Sequence, residues 1–115
     1  MLPMNWILDR LPMTNNRLLR SHWAVRKREK TAWGVLLRSQ HPPPQQSEGK
    51  RRVEITVFRN RLQDKDNSYA SVKPLVDALV HQGFLEDDRP ALLDLQVRET
   101  QVPRKEQRTE VLMLE

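Results

Sequence analysis

The sequence predicts a small α+β domain spanning residues 1–115, with a mixed β-sheet and two main helices in β-α-β-α-β-β order. Three observations support this class. The chain has 115 residues, which is enough for one modest hydrophobic core but not for two. Residues 52–59 alternate between apolar and polar, as a half-buried strand does. Over residues 72–80 the apolar positions recur every three or four residues, the spacing of an amphipathic helix.

The first half of the chain predicts one strand and one helix. The apolar run at residues 5–8 predicts the strand, and the Pro- and Asn-containing residues 11–16 predict a loop after it. Ser21 is expected to cap a helix over residues 22–39, whose basic residues fall mainly in its first half. The proline-rich residues 41–49 predict an exposed connector to the strand that follows.

The second main helix has the clearest pattern in the chain. Residues 60–67 predict a charged loop that leads into it. Pro74 fits a helix only in the first turn, where its missing N–H leaves no bond unmade, so the helix is expected to begin near Ser71. Gly83 is a natural end for it. The apolar stripe consists of Val72, Leu75, Val76, Leu79 and Val80.

The last two predicted elements are strands. Residues 93–98 alternate between apolar and polar and predict the third strand. Residues 102–107 form a short polar segment, and residues 108–115 alternate again. Because the connection is short, we expect the third and fourth strands to pair as a hairpin.

The composition excludes several classes of function. The chain contains no cysteine, so disulfides, thiolate zinc sites and cysteine nucleophiles are excluded. No apolar run approaches the roughly 20 residues of a membrane-spanning helix, and the N-terminus does not resemble a secretory signal. We therefore expect a cytoplasmic protein without a membrane partner. The net charge of +5 favours nucleic acid as the partner.

The positive charge is concentrated in a basic segment, residues 17–38. Its only acid is Glu29. Trp23 and Trp33 lie within it and are expected to belong to the core rather than to stack on bases. One interpretation is a solvated helix face. The other is contact with DNA phosphates, which would position a duplex without reading its bases. The predicted phosphate contacts are Arg26, Lys27, Arg28 and Lys30.

Carboxylates lie at both ends of the second main helix. Asp64 and Asp66 precede it, and Asp88 follows it. Close carboxylates repel one another unless a cation or a proton relieves the repulsion, and oxygen ligands favour Mg²⁺, with Mn²⁺ as a possible substitute. We expect these three acids to bind the metal and Lys73 to stabilise charge beside it.

A purely structural interpretation of the same residues remains open. Asp66 or Asn67 could cap the helix region, as short polar side chains often do. Lys73 could be a surface lysine that pairs with Asp77, four residues later on the same helix flank. On this interpretation the acids lie in solvated turns and have no catalytic role.

The order of these motifs resembles that of the RusA family of Holliday-junction resolvases. The family carries an Asp-x-Asp-Asn motif, a lysine in the helix that follows, an Asp-Ala-Leu within that helix and an Asp-Asp pair after it. Its N-terminal segment contains Pro-Pro-Ser-Asn-Asn. The corresponding residues here are Asp64-Lys65-Asp66-Asn67, Lys73, Asp77-Ala78-Leu79, Asp87-Asp88 and Pro12-Met13-Thr14-Asn15-Asn16-Arg17.

The resemblance implies a homodimeric, Mg²⁺-dependent endonuclease that cuts four-way DNA junctions by paired nicks. It implies that the three acids are essential and that Lys73 is the catalytic lysine. It also adds Asn16 and Arg17 to the expected DNA contacts. One departure leaves an alternative open: Lys73 lies six residues after Asn67, where the family has three, so Lys65 could serve instead.

Two other functions fit the residues. The first is a basic nucleic-acid-binding protein without catalytic activity, in which the acids form only a capped turn. The second is an adaptor that binds an acidic protein through the basic segment. Dependence on Mg²⁺ and on salt concentration would separate these from a nuclease.

Overall fold

The computed structural model describes residues 3–42 and 49–114, and it has the predicted mixed α+β architecture. Residues 43–48, most of the predicted connector, lie outside this description. The sheet order is β1-β4-β2-β3, with β2 parallel to β3 and β4 antiparallel to both of its neighbours. The strands are β1 (Met4–Leu8), β2 (Arg51–Arg59), β3 (Leu93–Gln101) and β4 (Arg108–Leu114).

The predicted hairpin between the third and fourth strands is wrong. After β3, a 3₁₀ turn at Arg104–Glu106 leads the chain past β2, and β4 inserts between β1 and β2. In that position Val111 lies opposite Trp6 on one side and Ile55 on the other. The backbone groups of β4 therefore find partners along both edges of the strand. Alternation within a strand defines which face is buried, but it does not define which strand lies beside it.

The two main helices are confirmed as α2 (Trp23–Gln40) and α4 (Lys73–His81), and two short helices were not predicted. The first of these is α1 (Asn15–Arg20), in a region expected to begin as a loop. Its start is capped by Thr14, whose hydroxyl accepts the N–H of Arg17 at 3.4 Å. Ser21 ends α1 instead of capping α2, and the ring Nδ1 of His22 accepts the N–H of Ala24 as the cap of α2.

The second short helix is α3 (Lys65–Ser71), which replaces the end of the predicted loop at residues 60–67. Asp64 occupies its N-cap position, but its side chain makes no capping hydrogen bond. Only Val72 separates α3 from α4, and Pro74 lies in the first turn of α4 as expected. The capping role considered for Asp66 and Asn67 is not observed, because α3 begins before both of them.

The hydrophobic core lies between the helices and one face of the sheet. Its largest buried side chains include Trp6, Trp33 and Phe84. The indole N–H of Trp6 donates to the backbone oxygen of Leu37 at 3.0 Å, which ties β1 to α2. Trp33 is in the core as expected, whereas Trp23, also expected there, is 67% exposed. Among the described helices, none is both long and apolar enough to cross a membrane.

The structure predicts sharply different costs for two truncations on α2. Leu37 is fully buried in the core, while Val35 is 51% exposed. Leu37→Ala should lower the free energy of unfolding by about 2–5 kcal/mol, because it removes apolar contacts and leaves a cavity. Val35→Ala should change it by less than about 0.5 kcal/mol. Urea unfolding of both variants measures the difference, and equal costs would contradict this placement of α2.

Candidate functional site

The three acids predicted to bind metal do not form a closed cluster in this structure. Asp64 and Asp66 are exposed at the beginning of α3, and Asp88 is partly buried in the turn between α4 and β3. Over residues 3–42 and 49–114, no group of three His, Cys, Asp or Glu side chains is arranged to hold a metal ion. Mg²⁺ binding by these acids therefore remains a prediction.

The turn after α4 returns the chain to the beginning of that helix. Gly83, with a φ of 86°, occupies the left-handed position that favours glycine. The N–H of Gly83 bonds the oxygen of Val80, and the N–H of Phe84 bonds that of Leu79, the paired bonds of a Schellman motif. The chain then runs back along α4, so that Asp88 contacts the first turn of the helix.

Lys73 is the residue that Asp88 contacts. Its ammonium group donates a hydrogen bond to Oδ2 of Asp88 and lies 3.0 Å from Oδ1 of Asp77. The hydrogen bond to Asp88 raises the pKa of Lys73, although partial burial opposes the change. The same hydrogen bond lowers the pKa of Asp88. At neutral pH Lys73 is therefore a cation and Asp88 an anion, so this lysine cannot act as a general base.

Lys73 also lies between two surface depressions. One is a cleft of about 400 Å³ between α1, α2 and the α3–α4 segment. The other, of about 290 Å³, is lined by Asp88 together with residues of α3, α4 and β3. Lys73 thus lines both the cleft beside α2 and the pocket beside Asp88. Asp77, its other partner, lines the cleft.

The cleft gathers most of the predicted phosphate contacts. Arg26, Lys27 and Lys30 line it opposite Lys73. The Nε–H of Arg26 donates to the backbone oxygen of Leu18 at 3.2 Å, which holds α1 against α2.

Arg28 lies outside the cleft and lines a neighbouring groove. The other predicted residues, Asn16, Arg17 and Lys65, are exposed and do not line the cleft.

Asn15 links the N-terminal motif to the Asp-x-Asp-Asn motif. Its side-chain amide donates to Oδ1 of Asn67 at 3.0 Å. Its backbone N–H donates to Oε1 of Gln63, also at 3.0 Å. Asn15 lines the cleft as well. The two asparagine-containing motifs, 52 positions apart in the chain, are therefore neighbours in space.

A buried ion pair beneath these motifs was not predicted. Nε of Arg59 lies 3.1 Å from Oε2 of Glu99, and both side chains are almost fully buried. The Nε hydrogen is not directed at an acceptor, so this contact is a charge pair without a hydrogen bond. Burial lowers the pKa of Arg59, and Glu99 opposes that change. Nη2 of Arg59 donates to the backbone oxygen of Pro12 at 3.0 Å, in the loop before α1.

Glu99 also binds Gln63, the residue before Asp64. Its Oε1 accepts the backbone N–H of Gln63 at 2.6 Å, and its Oε2 accepts the side-chain amide of Gln63 at 2.8 Å. A signal for this network was present in the sequence. Arg59 continues the alternation of the buried positions of β2, and Glu99 does the same in β3. Charged residues at the ends of two buried stripes indicate a buried pair.

Comparison with protein-family models and with curated proteins finds no match to this chain. The resemblance to the RusA family therefore depends on the ordered motifs alone.

The buried ion pair predicts a large penalty when one partner is removed. Glu99→Ala should lower the free energy of unfolding by about 3–5 kcal/mol, because it leaves the Arg59 cation buried without its partner. Replacing both residues, as Arg59→Met with Glu99→Leu, should recover part of this loss. Urea unfolding provides the measurement.

A matched control is the neighbouring Arg98, which is 64% exposed and pairs with Glu54 at 3.4 Å. Arg98→Ala should cost no more than about 1 kcal/mol, because exposed ion pairs contribute little. Equal losses for Glu99→Ala and Arg98→Ala would show that the buried pair does not hold this end of the sheet.

Proposed function

We propose that this protein is a metal-dependent, structure-selective DNA endonuclease that resolves four-way junctions by paired nicks, as the resemblance to the RusA family implies. The observation that carries the proposal is the position of Lys73. It contacts the carboxylates of Asp77 and Asp88 and faces three cations of α2 across one cleft. A surface suited to phosphates thus borders a group of carboxylates, a combination that metal-assisted phosphodiester hydrolysis uses.

Arg26, Lys27 and Lys30 would hold the DNA backbone. Their charges lie on one wall of the cleft, and contacts to phosphates fix the position of a nucleic acid without reading its sequence. This suits a protein that selects its substrate by shape. Lys73, on the opposite wall and protonated, would balance negative charge that develops on the scissile phosphate.

Asp64, Asp66 and Asp88 would hold Mg²⁺ or Mn²⁺. The chemistry of the donors fits, because carboxylate oxygens are the ligands that these ions prefer. In this structure, however, the ammonium of Lys73 already contacts Asp88, and no three acids within the described ranges are arranged for a metal. A bound ion would lower the pKa of a water molecule and stabilise the attacked phosphate.

We also propose that the active form is a homodimer. A four-way junction presents two equivalent strands for cleavage. A protein with twofold symmetry presents two equivalent sites, so that one complex can make both nicks.

The central test is Asp66→Asn. This variant should bind a synthetic four-way junction as tightly as the unmodified protein, because Asp66 lies outside the basic cleft lining. Its cleavage rate with Mg²⁺ should fall by more than the roughly 10–100-fold typical of residues that only support metal ligands. Cleavage of four-way, Y-shaped and linear DNA, with and without Mg²⁺, is the measurement.

Asp9→Asn provides the control, because Asp9 is an exposed acid in the segment after β1. It should cleave normally. If Asp66→Asn also cleaves the junction normally with Mg²⁺, the nuclease assignment is wrong.

A non-catalytic DNA-binding protein is the second candidate. The pairing of Lys73 with Asp77 and Asp88 favours it, because both carboxylates already share a cationic partner without a metal. Such a protein would bind the same junction but leave it intact at every Mg²⁺ concentration. The cleavage assay above separates the two candidates directly.

Both candidates predict that Lys27 contributes to affinity through charge. Lys27→Ala should weaken binding to all DNA sequences by a similar factor and reduce the slope of log affinity against log salt by about 1. Lys105→Ala is the control, because Lys105 lies in the 3₁₀ turn and lines a different depression, beside Ile7 and Asp9. A salt titration by fluorescence anisotropy measures both. An unchanged slope for Lys27→Ala would exclude phosphate contact by this residue.

A further inference from the structure

Trp23 is an exposed aromatic side chain that lies outside the hydrophobic core. It is the first residue of α2 and is 67% exposed, whereas Trp6 and Trp33 are 0% and 1% exposed. The ring of His22 lies beside it, with the ring centres 5.3 Å apart. Tryptophan has the largest aromatic surface of any side chain, and leaving it in water forgoes the stabilisation that burial would give. A binding role would account for this exposure.

The surroundings of Trp23 are cationic. A groove of about 500 Å³ beside it is lined by Lys27 and Arg28, and by small side chains of the following turns of α2. Glu29 is the only acid in α2, and its carboxylate pairs with Arg10 at 2.8 Å. Among the residues that the structure describes, no acid lines the groove itself. The indole ring is therefore accompanied by positive charges that no carboxylate of the groove balances.

This groove adjoins the cleft that contains Lys73. Lys27 lines both, so one side chain forms a wall of each. A nucleic acid whose phosphates lie along Arg26, Lys27 and Lys30 would pass the edge of the Trp23 ring. The spacing of Trp23 and Lys27, four residues apart in α2, places both on one side of the helix.

We propose that Trp23 is a stacking site for an unstacked nucleobase of the bound DNA, with Lys27 and Arg28 holding the adjacent phosphates. An aromatic platform next to a cationic groove is the combination with which proteins bind single-stranded nucleic acid. This inference rests on the proposed binding of branched DNA, but not on cleavage. It assigns Trp23 the role of distinguishing DNA with unstacked bases, such as the centre of a junction, from a continuous duplex.

The charges argue against a second copy of the chain as the occupant. In a twofold-symmetric contact the same patch faces itself. Lys27 and Arg28 would then approach the same cations of the other copy, and like charges across an interface are unfavourable. A nucleobase with its phosphate complements both the aromatic ring and the charges.

The test uses tryptophan fluorescence in the Asp66→Asn background, where no DNA is consumed. Because the other two tryptophans are buried, quenching reports on Trp23. Oligothymidylate and a four-way junction should quench the emission saturably, and a linear duplex should quench it much less. Trp23→Ala should weaken binding of oligothymidylate on the order of tenfold, while Trp23→Phe should retain most of the affinity. Affinity for the linear duplex should not change.

Val35→Ala, another apolar truncation on the exposed surface of α2, is the control and should bind like the unmodified protein. Equal affinity of Trp23→Ala for oligothymidylate would overturn the proposal. An equal loss of affinity for oligothymidylate and for linear duplex in Trp23→Ala would also overturn it. The same holds if polyglutamate quenches the emission as strongly as DNA does, or if Trp23→Ala changes the oligomeric state. Thermal unfolding of each variant separates loss of binding from loss of folding. If the protein with Asp66 intact stacks on the junction but leaves it uncut with Mg²⁺, the nuclease proposal alone would be overturned.

Discussion

The buried pair of Arg59 and Glu99 is the interaction on which the candidate site depends. Removing two charges from water costs several kcal/mol for each ion, and the cost is offset only when further polar partners surround them. Here the partners are the backbone oxygen of Pro12 and both nitrogens of Gln63. The ends of two parallel strands therefore hold the segments that lead into α1 and α3. Asn15 in α1 joins the two helices directly through Asn67 in α3.

This arrangement ties the candidate site to the sheet and to α4 by hydrogen bonds. Gln63, held by Glu99, immediately precedes Asp64, so the beginning of α3 is positioned from the sheet. The opposite side of the site is positioned from α4, where the Schellman turn returns Asp88 to Lys73. Side chains on well-supported elements keep their geometry better than side chains on free loops. The cleft between these two supports is closed on its third side by the cations of α2.

The parts of the fold that depend on local periodicity were predictable. The parts that depend on which distant segments pair were not. The stripe of α4 and the alternation of β2 determine their own buried faces. The position of β4 depends on contacts with strands distant in sequence, so the short connection after β3 was misleading. The helices α1 and α3 are too short to be stable alone, and tertiary contacts form them. In the site, motif order suggested that Lys73 and Asp88 belong together, but only the turn at Gly83 explains their contact.

The missing side-chain cap of α3 has a thermodynamic consequence. An aspartate at the N-cap ordinarily accepts a backbone N–H of the first turn, an interaction worth about 1 kcal/mol to the helix. Asp64 makes no such bond, so α3 lacks that stabilisation and the carboxylate is not hydrogen-bonded to the first turn of the helix. A cation that binds Asp64 would not have to break a cap first. Binding would then stabilise the folded state by an amount that grows with the logarithm of the cation concentration, which couples that concentration to the order of this short helix.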